Sequence, residues 1–189
     1  KFKYPQTTIF DHGKIRPDTA AQNAVAQAID LAQKTGAKLY ILHASTAKEL
    51  ELIKKAKQNG LTVFAETTPH HLFFDESAYD TLGTKAQMNP PLRTKQDVTA
   101  LWQAISDGTI DTIGTDHAPH TLAEKSLPYP QSPSGVPGIE TSLPLLLNAY
   151  NNGKISLEKI VELTRSNVQK IFNLPTNNDL VIVDLEKTQ

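Results

Sequence analysis

Residues 114–120, "GTDHAPH", set Asp116, His117 and His120 close together, directly after the apolar-alternating run "DTIGTD". Imidazole and carboxylate without thiolate are the donors of a hydrolytic zinc site. An Asp that holds both such a metal and the attacking water acts as general base, because the metal lowers the pKa of that water to roughly 7. The competing reading is a polar turn, and other strands decide between the two. The run "KLYILHAS" ends in His43, while "LTVFAET" ends in Glu66 and leads into His70 and His71. Three strand ends thus carry His, Glu/His and Asp/His, and mixed charge gathered at one edge is costly unless used. His12, in "FDHGKIRP", stands in a loop before a helix with no strand to deliver it, and is expected to take a capping or surface role.

The elements that must position these residues alternate. Residues 17–36 have Ala, Val, Ile and Leu at helical spacing, with Pro17 at the start and Gly36 at the end. A short buried strand at 38–45 follows, then an amphipathic helix at 46–60 whose Lys54, Lys55 and Lys57 form a solvated face, then a strand at 61–67. "PHHLFFDESAYDTLG" and "QMNPPLRT" read as one long irregular connection, broken by paired prolines. A helix at 95–108 and a strand at 110–116 come next. The Pro/Ser/Gly-rich stretch "HAPHTLAEKSLPYPQSPSGVPG" has no periodicity, and a loop of that length inside a compact domain is usually functional. Two helices follow, and "DLVIVDL" (179–185) reads as the opening of a further β element. Regular alternation with short Val/Ile/Leu-rich strands predicts parallel strands joined by crossover helices, in an open doubly wound sheet or part of a (β/α)₈ barrel. Both architectures place ligands at the C-terminal strand ends.

Composition narrows the function. With 189 residues, 39% of them hydrophobic, the chain is long enough for one domain with a real core. A net charge of −1 supplies no basic field for nucleic acid or an anionic membrane surface. There is no cysteine, which excludes disulfides and thiolate metal sites and fits a reducing, cytoplasmic setting. No apolar run has the length of a membrane span, and no glycine-rich phosphate loop is present. The only methionine is Met88, and "KFKYPQTT" reads as a loop from within a protein, with no secretory leader, so the chain is expected to be part of something longer.

Five stretches, "ILHAST", "AETTPHHLFF", "QMNPPLRT", "TIDTIGTDHAPHTLAEK" and "SGVPGIETSLPLLL", resemble the dihydroorotases, cyclic-amide hydrolases of the amidohydrolase superfamily. The resemblance runs from about Ile15 to Leu185. It implies a zinc-dependent (β/α)₈ barrel, with a centre that is usually binuclear, interconverting dihydroorotate and carbamoyl-aspartate in pyrimidine biosynthesis. It implies that His43 is a zinc ligand on strand six, and that Asp116 is the strand-eight ligand and general base. It further implies that Asn89 and His120 bind substrate, and that backbone groups around Gly135 form a lip over the ring. Glu66, His70 and His71 follow the family sequence without an assigned role. The family's strand-one HxH pair, strand-four Lys or Asp, and strand-five His have no counterpart before His43. The expectation is therefore an α/β partial barrel, strands six to eight with their helices, over residues 1–175. Residues 176–189 would open a small β domain. Such a piece would be inactive alone, and would self-associate or bind the missing half. Another cyclic amidase (an allantoinase or hydantoinase) and a non-catalytic scaffold subunit are the competing readings. His120 favours dihydroorotase, because a substrate carboxylate calls for a charged partner.

Overall fold

A computed structural model of the chain describes residues 7–187. The first six residues of the opening loop reading, and the last two of the chain, lie outside these. After a one-turn helix α1 (His12–Ile15), α2 (Asp18–Thr35) runs to Gly36, whose φ of 70° closes it in the left-handed region. Strand β1 (Leu39–Ile41) leads to α3 (Ala47–Gln58), which starts in a capping box: Thr46 accepts from the Glu49 N–H while the Glu49 carboxylate reaches back. Strand β2 (Val63–Thr67) is followed by the short helices α4 (Pro69–Phe73) and α5 (Ala78–Leu82). The sequence reading of this stretch as irregular is corrected here. Pro69 stands at the first helical position behind the N-cap Thr68, where a missing N–H costs nothing, so this proline initiates a helix. The irregular reading holds for "QMNPPLRT".

Helix α6 (Lys95–Ser106), capped by Thr94 and Asp97, precedes β3 (Thr112–Ile113). The long loop contains one helical turn, α7 (Leu122–Lys125). Helix α8 (Ile139–Asn151) follows. The last predicted helix is divided into α9 (Leu157–Val161), a π turn at Glu162–Ser166, and α10 (Asn167–Phe172). Residues 174–187 contain no strand, and Leu180, Val181 and Ile182 are 86, 77 and 95% exposed. An apolar run becomes a strand only by pairing, and the described residues offer this one no partner.

The three strands are parallel in the order β1-β2-β3, with Tyr40 opposite Phe64 and Glu66 opposite Thr112. Alternation divides the sheet. Ile41, Val63, Ala65 and Ile113 face the helices and join Leu50, Ile53, Leu101, Ile105, Leu146 and Leu163 in the main core. On the other face the Tyr40 hydroxyl meets Thr112 Oγ1 at 2.5 Å and donates to Glu66 Oε2 at 3.0 Å, with Phe172 packed 5.0 Å from the Tyr40 ring. That face is only partly covered, and Leu42 just beyond β1 is 57% exposed. A second core of Ile9, Tyr79, Ala86, Met88 and Leu92 supports the loops at the site. Among the described residues no helix is long and apolar enough to cross a membrane.

Candidate active site

The strand ends converge as parallel topology requires. β1 stops at Ile41, yet pairing resumes at Ala44, whose N–H donates to the Glu66 carbonyl. His43, between them, is pushed into a kink with φ 37°. Asp116 lies just beyond β3 with φ 46°. With Asn173 these are the only non-glycine residues of positive φ among those described. Such backbone costs on the order of 1 kcal/mol or more and persists only where its surroundings demand it. The two residues read as metal ligands are thus the two residues held in left-handed backbone at this edge. His43 is half-buried and Asp116 is exposed.

His70 lies between them electrostatically. Burial pushes its imidazole down to about 4; the Asp116 carboxylate opposes this and His43 adds to it. His70 is 6% exposed, packs 4.5 Å from the His71 ring, and its Nε2 has no partner among the described residues. Glu66 is occupied elsewhere, holding the Tyr40 hydroxyl and lying so close over Gly114 that a Cβ there would sit 2.4 Å from its carboxyl carbon.

Imidazole and carboxylate suit a hydrolytic zinc ion. Among the described residues, however, no three His, Cys, Asp or Glu side chains come together as a cation site. His43 and Asp116 are two donors, and a catalytic zinc takes about three from protein. The residues present do not close a zinc site by themselves.

The residues expected to bind substrate fall into two places. Asn89, exposed, shares an open cleft of about 360 Å³ with His43, Pro90, Arg93 and Arg16. His120 and Gly135 lie together, since a Cβ on Gly135 would stand 3.4 Å from His120 Nε2. The Gly135 N–H is already given to the Gln87 carbonyl at 2.9 Å, which leaves its carbonyl as the backbone group available to a ligand. His117 is structural: its Nδ1 accepts the N–H groups of Gly138 and Ile139 at 3.0 and 3.3 Å, capping α8.

Gly135 has φ 136°, and a Cβ would lie 2.6 Å from the Ala118 Cβ and 2.7 Å from its carbonyl oxygen. Gly135→Ala should therefore destabilise the fold, by about 1–3 kcal/mol from the strained backbone and a similar amount from overpacking. Urea unfolding measures it, and a loss under about 0.5 kcal/mol, the range of an ordinary surface change, would contradict it.

Three buried groups escaped the sequence reading. His12 takes neither a capping nor a surface role: it is fully buried, with Nε2 2.8 Å from the Met88 carbonyl and Nδ1 3.3 Å from the Tyr129 hydroxyl. Lys125, 5% exposed, donates at 2.8 Å to the carbonyls of Gln87 and Pro133, tying the long loop to residues 83–93, and burial pushes it down to about 8. Arg93, 8% exposed, donates to the Arg16 carbonyl at 2.8 Å. No local spacing marks any of the three.

Burial holds both His12 and His71 below their ordinary value of 6.5. Both rings resist protonation in the fold more than in the unfolded chain. Their contribution is therefore complete above about pH 6.5 and is lost as pH falls below it. Denaturation midpoints at pH 7.5, 6.5, 5.5 and 5.0 should decline from 6.5 downward, whereas a flat series would mean that these rings protonate without cost.

The fold is that of a segment of the amidohydrolase barrel. The structure matches the dihydropyrimidinase of Brevibacillus agri with a TM-score of 0.83 and 32% identity, over 89% of this chain and 38% of that one. It matches a D-hydantoinase of Thermus with a TM-score of 0.83 and 28% identity over the same shares. No protein-family model matches the chain. By sequence the chain is a relative of the dihydroorotases. It is 42% identical to the dihydroorotase of Anaplasma phagocytophilum over 178 residues, 90% of this chain and 40% of that protein. It is 41% identical over 170 residues to the multifunctional protein CAD of Squalus acanthias, 89% of this chain and 7% of that protein. The chain thus spans about 40% of the length of the dihydroorotases it matches. The dihydroorotases and hydantoinases among these homologues are hydrolases acting on cyclic amides.

Proposed function

We propose that this chain supplies strands six to eight, with their helices, of a dihydroorotase, which opens the cyclic amide of dihydroorotate to carbamoyl-aspartate and closes it again in pyrimidine biosynthesis. In this reading residues 176–189 lead into a small β domain. The observation that carries it is the pair His43 and Asp116, both held in left-handed backbone at one sheet edge, in a chain 42% identical to a dihydroorotase. In the complete enzyme these two would be zinc ligands beside donors from outside this chain. Zinc, when bound, would supply Lewis acidity. Asp116 takes the proton of the attacking water and returns it to the ring nitrogen as the C–N bond breaks. Asn89 and His120 orient the substrate, and the Gly135 carbonyl lines the ring. Because part of the sheet face is open, the chain associates with the missing half or with itself.

The hydantoinase neighbours support a second reading, another cyclic amidase. Rates on dihydroorotate and on an uncharged hydantoin separate the two, and absence of turnover on both would leave the scaffold reading. The decisive variant is His120→Ala in the complete enzyme. It should weaken dihydroorotate binding by about 1.5–3 kcal/mol, the worth of a hydrogen bond to a charged group, with zinc content unchanged. Loss of zinc would show that His120 belongs with the metal ligands.

A further inference from the structure

Asn89 stands in the chain between two carbonyl groups, each gripped by a buried histidine. The Met88 carbonyl accepts from His12 Nε2 at 2.8 Å, and the Pro90 carbonyl accepts from His71 Nε2 at 3.1 Å. A carbonyl can only accept, so each ring carries its proton on Nε2. Each Nδ1 is then an acceptor, and each finds a hydroxyl: Tyr129 for His12 at 3.3 Å and Thr68 for His71 at 2.8 Å. Both rings are buried, at 0 and 1% exposure. They come from separate parts of the fold, α1 and α4: His12 stands apart from the strand ends, while His71 follows β2 and packs 4.5 Å from His70. The hydroxyls that set the tautomers belong to the long loop and to the N-cap of α4. The segment is braced once more where the Leu92 N–H donates to the Tyr79 hydroxyl at 3.0 Å. Asn89, between the two grips, stays exposed on the cleft it shares with His43.

We infer that His12 and His71 are a matched pair of positioning residues, which present Asn89 to the substrate by holding the carbonyls of Met88 and Pro90. The inference rests on the reading of Asn89 as a substrate contact. Pro90 and Pro91 already fix φ after Asn89, so the two grips hold what remains, the peptide planes that carry the Met88 and Pro90 carbonyls. If these turn, the amide loses its orientation, and misplacing a group by about 1 Å can cost up to about a hundredfold in rate.

The test uses four variants: His12→Leu and His71→Leu, which remove the donor, and His12→Gln and His71→Gln, whose amide can replace the Nε2–H. In the full 189-residue chain, long-range proton–nitrogen spectra of the imidazoles should show the Nε2–H tautomer for both residues. Nitrogen relaxation should show Asn89 ordered in the wild type and Gln variants and mobile in the Leu variants. In the complete enzyme the Leu variants should raise KM roughly tenfold or more with a smaller change in kcat, and the Gln variants should restore it. An Nδ1–H tautomer at either ring would overturn the clamp, and it needs no variant to fold. So would an Asn89 that stays ordered in a folded Leu variant. If order is lost but Asn89→Ala leaves KM unchanged, the reading of Asn89 fails and the catalytic part of the proposal with it, although the clamp itself stands.

Discussion

Asp116→Asn in the complete enzyme is expected to lower kcat by about 10²–10⁴, the usual worth of a general base. The substitution is well suited to its purpose. Asp116 has φ 46°, a conformation that Asn adopts as readily as Asp, so the variant keeps the backbone of the strand end. It keeps the shape of the side chain as well. In the role proposed for Asp116, it removes the ability to take a proton from water together with one anionic donor, so zinc affinity should fall along with turnover. Measuring kcat beside metal content separates the two effects. Near-normal turnover at full metal occupancy would remove Asp116 from the mechanism.

The 189-residue chain alone is expected to hydrolyse no dihydroorotate and to form none from carbamoyl-aspartate, even with zinc added. Two donors, His43 and Asp116, fall short of the three or so that hold a catalytic zinc. The same incompleteness should appear in its hydrodynamics. With the order β1-β2-β3, both outer strands present free edges among the described residues. Leu42, beside the partly covered sheet face, is 57% exposed. Free edges next to uncovered apolar surface favour association. Light scattering across a concentration series, with intact-mass analysis of each chain present, should find an oligomer or a complex with the other half. A single monomeric species of 20.8 kDa at high concentration would defeat the association argument, and turnover by the pure chain would defeat the donor argument.

Much of this architecture is written locally. The helical period of α2, the capping boxes of α3 and α6, and the apolar cores of β1 and β2 are all readable, because each depends on residues within a turn or two of one another. The convergence of His43, the His70 region and Asp116 follows from the same signals, since parallel strands in chain order must bring their ends to one edge. Pro69 was also legible in principle, as a helix start behind Thr68, but proline reads first as a breaker.

Other features depended on contacts that no window of sequence contains. His12 became a buried donor because its partner Met88 lies 76 residues away. Lys125 became a buried cation through the Gln87 carbonyl, 38 residues back. The Gly135 N–H is committed to Gln87, and "DLVIVDL", apolar enough for a strand, remains coil among the described residues. Local pattern determines which conformation a segment prefers. Whether a polar group is buried, or an extended run becomes a strand, depends on a hydrogen-bonding partner that only the folded chain brings within reach.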